Sequence, residues 1–276
     1  MMSPAPLDIP YKTLGLSRDD GVLRLTLNRP KQRNAINEAM IGELEQVVAA
    51  LADDLSTRIV MIRGAGGSFC AGGDLKDFQR NYQGADNVER VAGENRRFGR
   101  LLSAINSLPQ VVIMLIEGAA MGGGVGLTCL GDISICTADA LFSMTETGMG
   151  IPPAQIAPFV VQRIGLTHTR RLMLSAARFN GTEALRLGLV HQVVNDAAAL
   201  ETAADAVIAQ VLRCGPRANA ATKEILQSCL AAPLEDTLDM AATRFAEALK
   251  GDEAREGITA FHDKRAPAWV PARKDA

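Results

Sequence analysis

Residues 111–132 read VVIMLIEGAAMGGGVGLTCLGD, and this stretch decides the fold of the chain. The six apolar residues 111–116 predict a strand, and they are far too few to span a bilayer. Three glycines follow at 122–124 and a fourth at Gly126, ahead of a predicted helix that stops at Gly131. Because glycine costs about 1 kcal/mol relative to alanine inside a helix, the run indicates backbone that must approach another group closely. A strand, a glycine turn and a helix in this order are typical of an α/β fold.

The glycine pattern does not match the common phosphate-binding loops. A dinucleotide fold needs G-x-G-x-x-G, which the spacing of Gly118, 122–124 and Gly126 does not provide, and the Gly-Lys-Ser/Thr of a P-loop is absent. What remains is a predicted helix whose first N–H groups, near Gly123, favour negative charge. Such an N–H aimed at a carbonyl oxygen is one half of an oxyanion hole. The alternative is that the glycines serve only close packing of the helix on the strand.

A second glycine loop, GSFCAGGDLK at 67–76, also follows a predicted strand and precedes a predicted helix. An oxyanion hole needs two donors, and Gly73 offers a second backbone N–H. Asp74 is interpreted as a helix N-cap or a brace of this loop rather than as a catalytic group. The two loops together favour an oxyanion hole over simple packing.

The rest of the chain alternates strands and helices first and becomes helical later. Alternating apolar residues at 21–28 and a β-branched run at 59–62 predict two further strands, and Asn37 is placed to cap a helix between them. From about residue 155 helical patterns dominate, apart from one predicted strand at 189–194. We therefore divide the chain into an N-terminal extension, an α/β core and a helical C-terminal region, at residues 1–14, 15–200 and 201–276.

Two segments are predicted to be poorly ordered. A polar stretch at 79–94 separates the second glycine loop from a predicted helix at 95–106, and the Pro/Lys/Arg-rich C-terminal tail is expected to fray. Further helices are predicted at 155–164 and 167–176.

Composition excludes several classes of function. The chain has 276 residues, 47% apolar and 22% charged, with a formal net charge of -2, so we expect a globular protein without a nucleic-acid partner. The five cysteines include no C-x-x-C pair, which favours free thiols and a cytoplasmic location. The three histidines have no metal-ligand spacing, so we expect no metal site. Residues 1–10 lack the basic, apolar pattern of a secretory leader, and no membrane segment is predicted.

The two glycine loops, FCAGGDLKDF and EGAAMGGGVGLTCLGD, strongly resemble those of the crotonase superfamily, also called enoyl-CoA hydratases and isomerases. The resemblance covers roughly residues 15–269 and includes three more stretches: LTLNRPKQRNAIN at 25–37, FSMTETGMGIPP at 142–153 and EGITAFHDKRAPAW at 256–269. It implies a crotonase-like spiral of ββα units with a helical C-terminal region used for trimerisation, commonly in a dimer of trimers. It also implies a CoA thioester substrate, with no metal, flavin or nicotinamide cofactor.

The resemblance also implies which residues meet the substrate. The N–H groups of Gly73 and Gly123 would hold the thioester oxygen as it becomes enolate-like. A loop at 33–35 and a turn at 71–75 would line the pantetheine and adenine, and Lys264 would reach CoA phosphates, often those in a neighbouring subunit. For the two basic residues among these, a solvated surface charge is the alternative. The CoA-contacting residues predicted in this way are Arg33, Ala35, Ala71, Asp74, Leu75 and Lys264.

Hydratases of this family commonly use two glutamates, and only one of them is present here. The first would stand three residues after the second oxyanion donor, where this chain has Gly126. The second maps onto Glu146, which would be the catalytic acid/base. Two hypotheses follow: a hydratase that works with Glu146 alone, or a chain that has become an isomerase, another single-acid enzyme or an inactive scaffold. Glycine at 126 would also leave room near C3 for a branched substrate.

Residues 151–165, IPPAQIAPFVVQRIG, resemble the branch that hydrates 3-substituted glutaconyl-CoA in leucine or acyclic terpene breakdown. The following stretch, RRLMLSAARFNGTEALRLGLVH at 170–191, leans toward the isohexenyl type. Gln155 stands where a polar side chain would meet a substrate carboxylate, or it simply begins a helix. The expected function is a lyase that adds water to isohexenylglutaconyl-CoA or 3-methylglutaconyl-CoA. A double-bond isomerase and a non-catalytic binder of CoA esters remain as alternatives.

Overall fold

The computed structural model describes residue 7 and residues 9–82 and 88–271, and the central element within them is a six-stranded sheet of order β1-β2-β3-β4-β6-β9. β1 and β2 pair antiparallel, whereas each later neighbour pairs parallel. A second, three-stranded sheet has the order β5-β7-β8. The strands are β1 Leu14–Asp19, β2 Val22–Leu27, β3 Ile59–Gly64, β4 Val111–Ile116, β5 Ala119–Met121, β6 Ile133–Thr137, β7 Leu141–Ser143, β8 Phe179–Asn180 and β9 Gln192–Val194.

Helices connect the parallel strands and then form the C-terminal third of the chain. Two short 3-10 helices, Pro30–Gln32 and Glu146–Met149, stand beside the glycine loops. The α-helices are α1 Glu38–Leu51, α2 Leu75–Tyr82, α3 Val88–Asn106, α4 Gly123–Cys129, α5 Ala157–Ser175, α6 Gly181–Arg186, α7 Ala197–Leu212, α8 Pro216–Ala231, α9 Leu234–Lys250 and α10 Asp252–His262. Strand–helix alternation followed by helices confirms the predicted α/β class.

The continuous apolar run of β4 arises because the large sheet is covered on both faces. Val112, Met114 and Ile116 point into a core shared with α1, α3, α4 and α5. The alternate side chains Val111, Ile113 and Leu115 point into a second core, which α7 closes. A strand buried on both faces loses the polar alternation that a half-exposed strand keeps. This double burial fixes β4 rigidly, and the first glycine loop leaves from its carboxyl end.

The C-terminal helices bury little within the chain. α8 has no fully buried residue, α9 has only Thr237 and α10 only Ala260. By contrast, α7 packs on the sheet, so the domain division proposed at residue 200 falls inside a helix of the core. That division stays a prediction.

Several predicted boundaries are corrected by the structure. The strand predicted at 189–194 is only Gln192–Val194, because Leu189 donates its N–H to Ala184 O in the turn after α6. By contrast, the two helices predicted at 155–164 and 167–176 are confirmed as the two segments of α5, which are separated at Gly165, where φ +74° and ψ +161° are not helical. α3 begins at Val88 rather than near residue 95. The stretch predicted to be mobile, 79–94, therefore consists of the end of α2, the start of α3 and residues 83–87, and the last of these lie outside the described residues. The frayed tail predicted beyond residue 271 also lies outside them.

Candidate active site

The two glycine loops are joined by their backbones. Cys70 donates its N–H to Ala119 O at 2.9 Å, and its carbonyl accepts from Met121 N–H at 2.8 Å, in a parallel bridge to Ala120. The contact is so close that a Cβ at Gly72 would stand 2.9 Å from Met121 O and 3.7 Å from the nitrogen of Gly123. Glycine at 72 is therefore required by the approach of the loops, and this approach places the two predicted donors side by side.

Both predicted donors have N–H groups that the local backbone does not use. Ile36 donates its N–H to Gly72 O at 2.7 Å and accepts from Asp74 N–H at 2.9 Å. In a parallel bridge of this kind the residue opposite Ile36, which is Gly73, points its own N–H away. Gly123 is the first residue of α4, where a backbone N–H has no partner inside the helix. The geometry therefore presents two backbone donors at the start of α4, as an oxyanion hole requires.

Glu146 lies directly against this helix start. Gly122 donates its N–H to Ser143 O at 2.8 Å, which draws the end of β7 to the beginning of α4. A Cβ at Gly122 would stand 2.6 Å from Glu146 Oε1, so the carboxyl group occupies the space that a side chain would take. The backbone of Gly122, with φ +48° and ψ −113°, is also one that L side chains rarely adopt. Glycine at 122 thus makes the contact between the carboxyl group and the donor loop possible.

The environment of Glu146 suits proton transfer. Its Oε2 is buried and has no hydrogen-bond partner among the described residues. Burial raises the pKa of this carboxyl group above the ordinary value of a glutamate. The short helix that carries it is anchored by Thr147, whose Oγ1 donates to Met173 O at 2.6 Å. A fixed carboxylate with an open acceptor and an elevated pKa is what a general acid/base needs.

The space predicted beside Gly126 is already filled. A Cβ at 126 would overlap Cγ2 of Ile156, a buried side chain at the start of α5. The expectation that Gly126 leaves open room near C3 is therefore wrong, because an apolar side chain from another element takes that room. Position 126 is a packing position, and an apolar side chain fills the space beside the position where the family resemblance implies a second glutamate. Nothing in the sequence pattern identifies Ile156 as that neighbour.

Asp74 joins the second glycine loop to the loop before α1. Its Oδ2 accepts from Arg29 Nη2 at 2.9 Å, and its Oδ1 accepts from Lys76 N–H at 3.1 Å as α2 begins. The same guanidinium donates through Nη1 to Ala35 O. The pKa of Asp74 is lowered: burial raises it, but the hydrogen bonds from Arg29 and from the backbone outweigh that effect. Arg29 was not among the predicted site residues, although it stands within the quoted NRP motif.

The residues predicted to line the CoA path fall into two groups. Ala71 donates its N–H to Arg33 O at 2.9 Å, so the loop at 33–35 and the turn at 71–75 are adjacent. Arg33 is exposed, with a left-handed φ of +48°. Leu75 is 57% exposed. Lys264 follows α10 and is exposed, and no hydrogen bond between described residues joins it to the loop of Arg33.

Gln155 contacts α3. Its Nε2 donates to Asn95 Oδ1 at 2.8 Å, and its Oε1 lies in the space where a Cβ of Gly99 would stand. The neighbouring Phe98 approaches Gly123, since a Cβ at 123 would be 3.4 Å from Phe98 Cζ. Sequence reasoning missed Phe98 and Asn95, which would have required knowing how α3 faces α4 and α5.

The described residues contain no group of three or more His, Cys, Asp or Glu side chains arranged to hold a metal ion. Within the same part of the chain, no helix is long and apolar enough to cross a membrane. All five cysteines are free thiols, and burial raises the pKa of Cys70 to about 12. The groups that the described residues bring together at the site are the carboxyl group of Glu146 and the backbone N–H groups of Gly73 and Gly123.

Comparison with known proteins agrees with this geometry. Residues 17–271 match the family model described as Enoyl-CoA hydratase/isomerase. The chain is 32% identical to a protein named probable enoyl-CoA hydratase from Bacillus subtilis, over 93% of this chain and 98% of that protein. It is 31% identical to the peroxisomal Delta(3,5)-Delta(2,4)-dienoyl-CoA isomerase of Arabidopsis thaliana, over 94% of this chain and 98% of that protein.

Solved structures show the same fold. Pseudomonas aeruginosa AtuE has a TM-score of 0.91 at 52% identity, over 94% of this chain and 100% of that one. An enoyl-CoA hydratase/isomerase from Marinobacter aquaeolei also has a TM-score of 0.91, at 42% identity over 94% and 100% of the two chains. The chain thus belongs to the enoyl-CoA hydratase/isomerase family, the crotonase superfamily that its two glycine loops resemble.

Proposed function

We propose that the protein is a lyase that adds water across the C2=C3 double bond of a 3-branched 2-enoyl-CoA, using Glu146 as its one catalytic carboxyl group. The observation that carries this proposal is the contact of the Glu146 carboxyl group with Gly122, immediately before the donor Gly123. A thioester oxygen held by Gly73 and Gly123 N–H would lie within reach of that carboxyl group. One acid/base and an oxyanion hole are sufficient for hydration.

The proposed reaction proceeds through the enolate of the thioester. The two N–H groups stabilise the negative charge that grows on the thioester oxygen when a nucleophile attacks C3. Glu146, as carboxylate, accepts a proton from water while the water oxygen bonds to C3. The protonated carboxyl group then returns a proton to C2, and the product is the 3-hydroxyacyl thioester. Because the pKa of Glu146 is raised, the carboxylate is a stronger base toward water than an ordinary glutamate, and its protonated form can still return the proton to C2. No metal, flavin or nicotinamide is required by these steps.

For the substrate we propose isohexenylglutaconyl-CoA or 3-methylglutaconyl-CoA, in acyclic terpene or leucine breakdown. The motif resemblance over residues 151–191 supports a branched, dicarboxylic acyl group. Ile156 in place of a second carboxyl group supports it as well, because an apolar wall beside C3 tolerates a hydrocarbon branch better than a charged one does. We propose that CoA itself runs along Arg33 and Leu75.

A double-bond isomerase is the second candidate. Relatives of this chain include proteins named dienoyl-CoA isomerase as well as proteins named enoyl-CoA hydratase. One carboxyl group that moves a proton between C2 and C4 would use the same oxyanion hole. A non-catalytic binder of CoA esters is a third candidate, and it is supported by the glycine at position 126, where a second catalytic glutamate would stand.

We also propose that the protein is a homo-oligomer, a trimer or a dimer of trimers, in the cytoplasm. The helices α8–α10 expose large apolar side chains, among them Leu230, Phe245 and Phe261, the last 83% exposed. Large exposed apolar side chains on helices that pack against one another, as α8–α9 and α9–α10 do, are typical of protein interfaces. The free thiols support a reducing compartment.

Product mass after incubation with crotonyl-, 3-methylglutaconyl- and isohexenylglutaconyl-CoA tests the proposed function. A product heavier by one water, formed faster from the branched thioesters, is the expected result. Unchanged mass with a displaced double bond would establish the isomerase instead. No reaction, together with tight binding of the same thioesters, would favour the non-catalytic binder.

A further inference from the structure

A cavity of about 420 Å³ lies between α3, the start of α5 and α8. This volume is within the range of small-ligand sites. Its wall combines amide and hydroxyl side chains with a few apolar ones, including Ser103, Gln162, Gln227, Phe159 and Leu230. Glu146 and the two oxyanion donors, Gly73 and Gly123, do not line this cavity.

The cavity adjoins the candidate active site through two neighbouring pairs of residues. Phe98 approaches the donor Gly123, and the next residue, Gly99, lines the cavity. Ile156 fills the space beside Gly126, and the preceding residue, Gln155, also lines the cavity. The cavity and the candidate active site therefore share two segments of the chain as walls, α3 at residues 98–99 and the residues before α5 at 155–156.

Gly99 and Gln155 form the boundary between the two spaces. Gln155 Oε1 occupies the place where a Cβ of residue 99 would stand, so glycine at this position of α3 makes a recess for the amide. Its Nε2 is held by Asn95 Oδ1 at 2.8 Å. The amide of Gln155 is thus held against α3 on the side of the cavity that shares these two segments with the site.

The wall of the cavity carries positive charge and no negative charge. Arg96 is the one ionisable residue of the wall, and no aspartate or glutamate lines the cavity. Its Nη1 lies 2.9 Å from the same point where a Cβ of residue 99 would stand, so the guanidinium is beside the boundary amide. Arg96 is exposed and makes no ion pair or side-chain hydrogen bond with another described residue, whereas Arg97 is paired with Glu45. A cavity with one unpaired guanidinium and several amide groups suits a carboxylate.

We propose that this cavity binds the distal carboxylate of a dicarboxylic acyl thioester, with Arg96 as the charge partner and Gln155 at the entrance. The proposal rests on the proposed function, since it assigns a subsite to the acyl group of that reaction. It makes Arg96 the residue that separates dicarboxylic from simple acyl chains. The thioester end remains at Gly73 and Gly123, and the carboxylate end enters the space between α3 and α5.

Binding and turnover of matched thioesters test this proposal separately. Glutaryl-CoA and pentanoyl-CoA have acyl chains of equal length that differ in a terminal carboxylate, and neither has a double bond to hydrate. We expect the wild type to bind glutaryl-CoA more tightly by calorimetry, and Arg96→Gln to weaken that binding by about tenfold or more while changing pentanoyl-CoA binding less than about twofold. The same pattern is expected in kcat/KM for hydration of glutaconyl-CoA against 2-pentenoyl-CoA.

Arg100→Gln is the matched control, because Arg100 is an exposed arginine one turn further along α3 and does not line the cavity. It should leave the preference for the dicarboxylic chain unchanged. Equal weakening of both thioesters by Arg96→Gln, or an unchanged preference, would overturn the subsite. Normal preference in binding with no hydration of either unsaturated thioester would instead overturn the proposed function and leave the subsite standing.

Discussion

Glu146 has an oxygen, Oε2, that is buried without a hydrogen-bond partner in the described part of the chain. An unsatisfied buried acceptor costs free energy, and such atoms are retained where a reaction uses them. We expect Glu146→Gln to lower kcat roughly 10²- to 10⁴-fold, because glutamine keeps the shape but cannot accept a proton from water. Steady-state hydration rates of the variant and the wild type measure this.

The pH dependence of the same reaction follows from the direction of the pKa shift. Burial raises the pKa of Glu146, and the proposed first step needs the carboxylate, so the rate should fall with decreasing pH at a value above the ordinary glutamate pKa of about 4.3. The acid limb should disappear in Glu146→Gln, whereas Glu235→Gln, an exposed glutamate on α9, should retain it. A wild-type rate in Glu146→Gln would remove this residue from the mechanism.

Gly126 is a residue whose absent side chain serves packing. A Cβ there overlaps Ile156 Cγ2, so Gly126→Ala should lower the free energy of unfolding by about 1–3 kcal/mol, despite the better helix propensity of alanine. Ile156→Ala removes the overlapping methyl group. The double variant should therefore be less destabilised than the sum of the two single variants, as measured by urea unfolding. Strict additivity would show that residues 126 and 156 do not compete for the same space.

At this scale the sequence predicts residue types better than neighbours. Glu146 and the glycines at 73 and 123 are predicted through the resemblance of their motifs to those of the family, and the structure places the three near one another. The meaning of Gly126 does not follow, because Ile156 is thirty residues away along the chain and packs on α4 from α5. Absence of a side chain indicates close approach in general, but the approaching atom is known only from the folded structure.

The N-terminus of α4 permits a test of the oxyanion donor at the scale of an element. Proline is tolerated at the first position of a helix, where its missing N–H breaks no intrahelical bond. Gly123→Pro should therefore abolish turnover with a folded protein, whereas Gly123→Ala, which keeps the N–H, should retain most of it. Both variants place a Cβ 3.3 Å from Ile36 Cδ1, so the alanine variant controls for that contact, although proline also adds ring Cγ and Cδ atoms. Circular dichroism checks folding, and activity in the proline variant would place the donor elsewhere.

Arg29 tests the connection between the two loops that precede α1 and α2. It contacts both Ala35 O and Asp74 Oδ2, and Asp74 follows the donor Gly73 directly. Displacing a donor by about 1 Å can cost 10²-fold in rate, so we expect Arg29→Gln to lower kcat roughly 10- to 100-fold. Asp74→Asn should have a similar effect. The double variant should lose little more activity than either single variant, because both substitutions break the same contact between Arg29 and Asp74. Additive losses in kcat would show that the two residues act independently.

Elements are predicted best where one physical constraint dominates. β4 follows from six apolar residues because the large sheet is covered on both faces. The start of α3 is missed because residues 88–94 are mostly exposed, so they lack the buried apolar stripe on which a prediction can rest. The length of the strand at 192–194 is overestimated because Leu189 and Val190 are buried in the core without belonging to the sheet.

The whole chain leaves its C-terminal apolar surface without a partner among the described residues of one copy. Phe245 on α9 and Phe261 on α10 are 69% and 83% exposed, and exposed aromatic side chains in such numbers are typical of interfaces. We expect the wild type to have a solution mass of three or six times 29.3 kDa by light scattering. Phe245→Glu with Phe261→Glu should reduce it to that of one chain, since burying two carboxylates at an apolar interface is strongly unfavourable.

Assembly should also affect the substrate site if Lys264 reaches CoA in a neighbouring copy. The dissociated variant should then show a raised KM for CoA thioesters, and Lys264→Ala in the intact oligomer should raise KM in the same way with little change in kcat. Leu55→Glu adds a charge at another exposed leucine, outside the C-terminal helices, and should change neither mass nor KM. A wild-type mass of a single chain would contradict the oligomer. An oligomer in which Lys264→Ala leaves KM unchanged would separate assembly from CoA binding, because the C-terminal helices would then hold the copies together without completing the site.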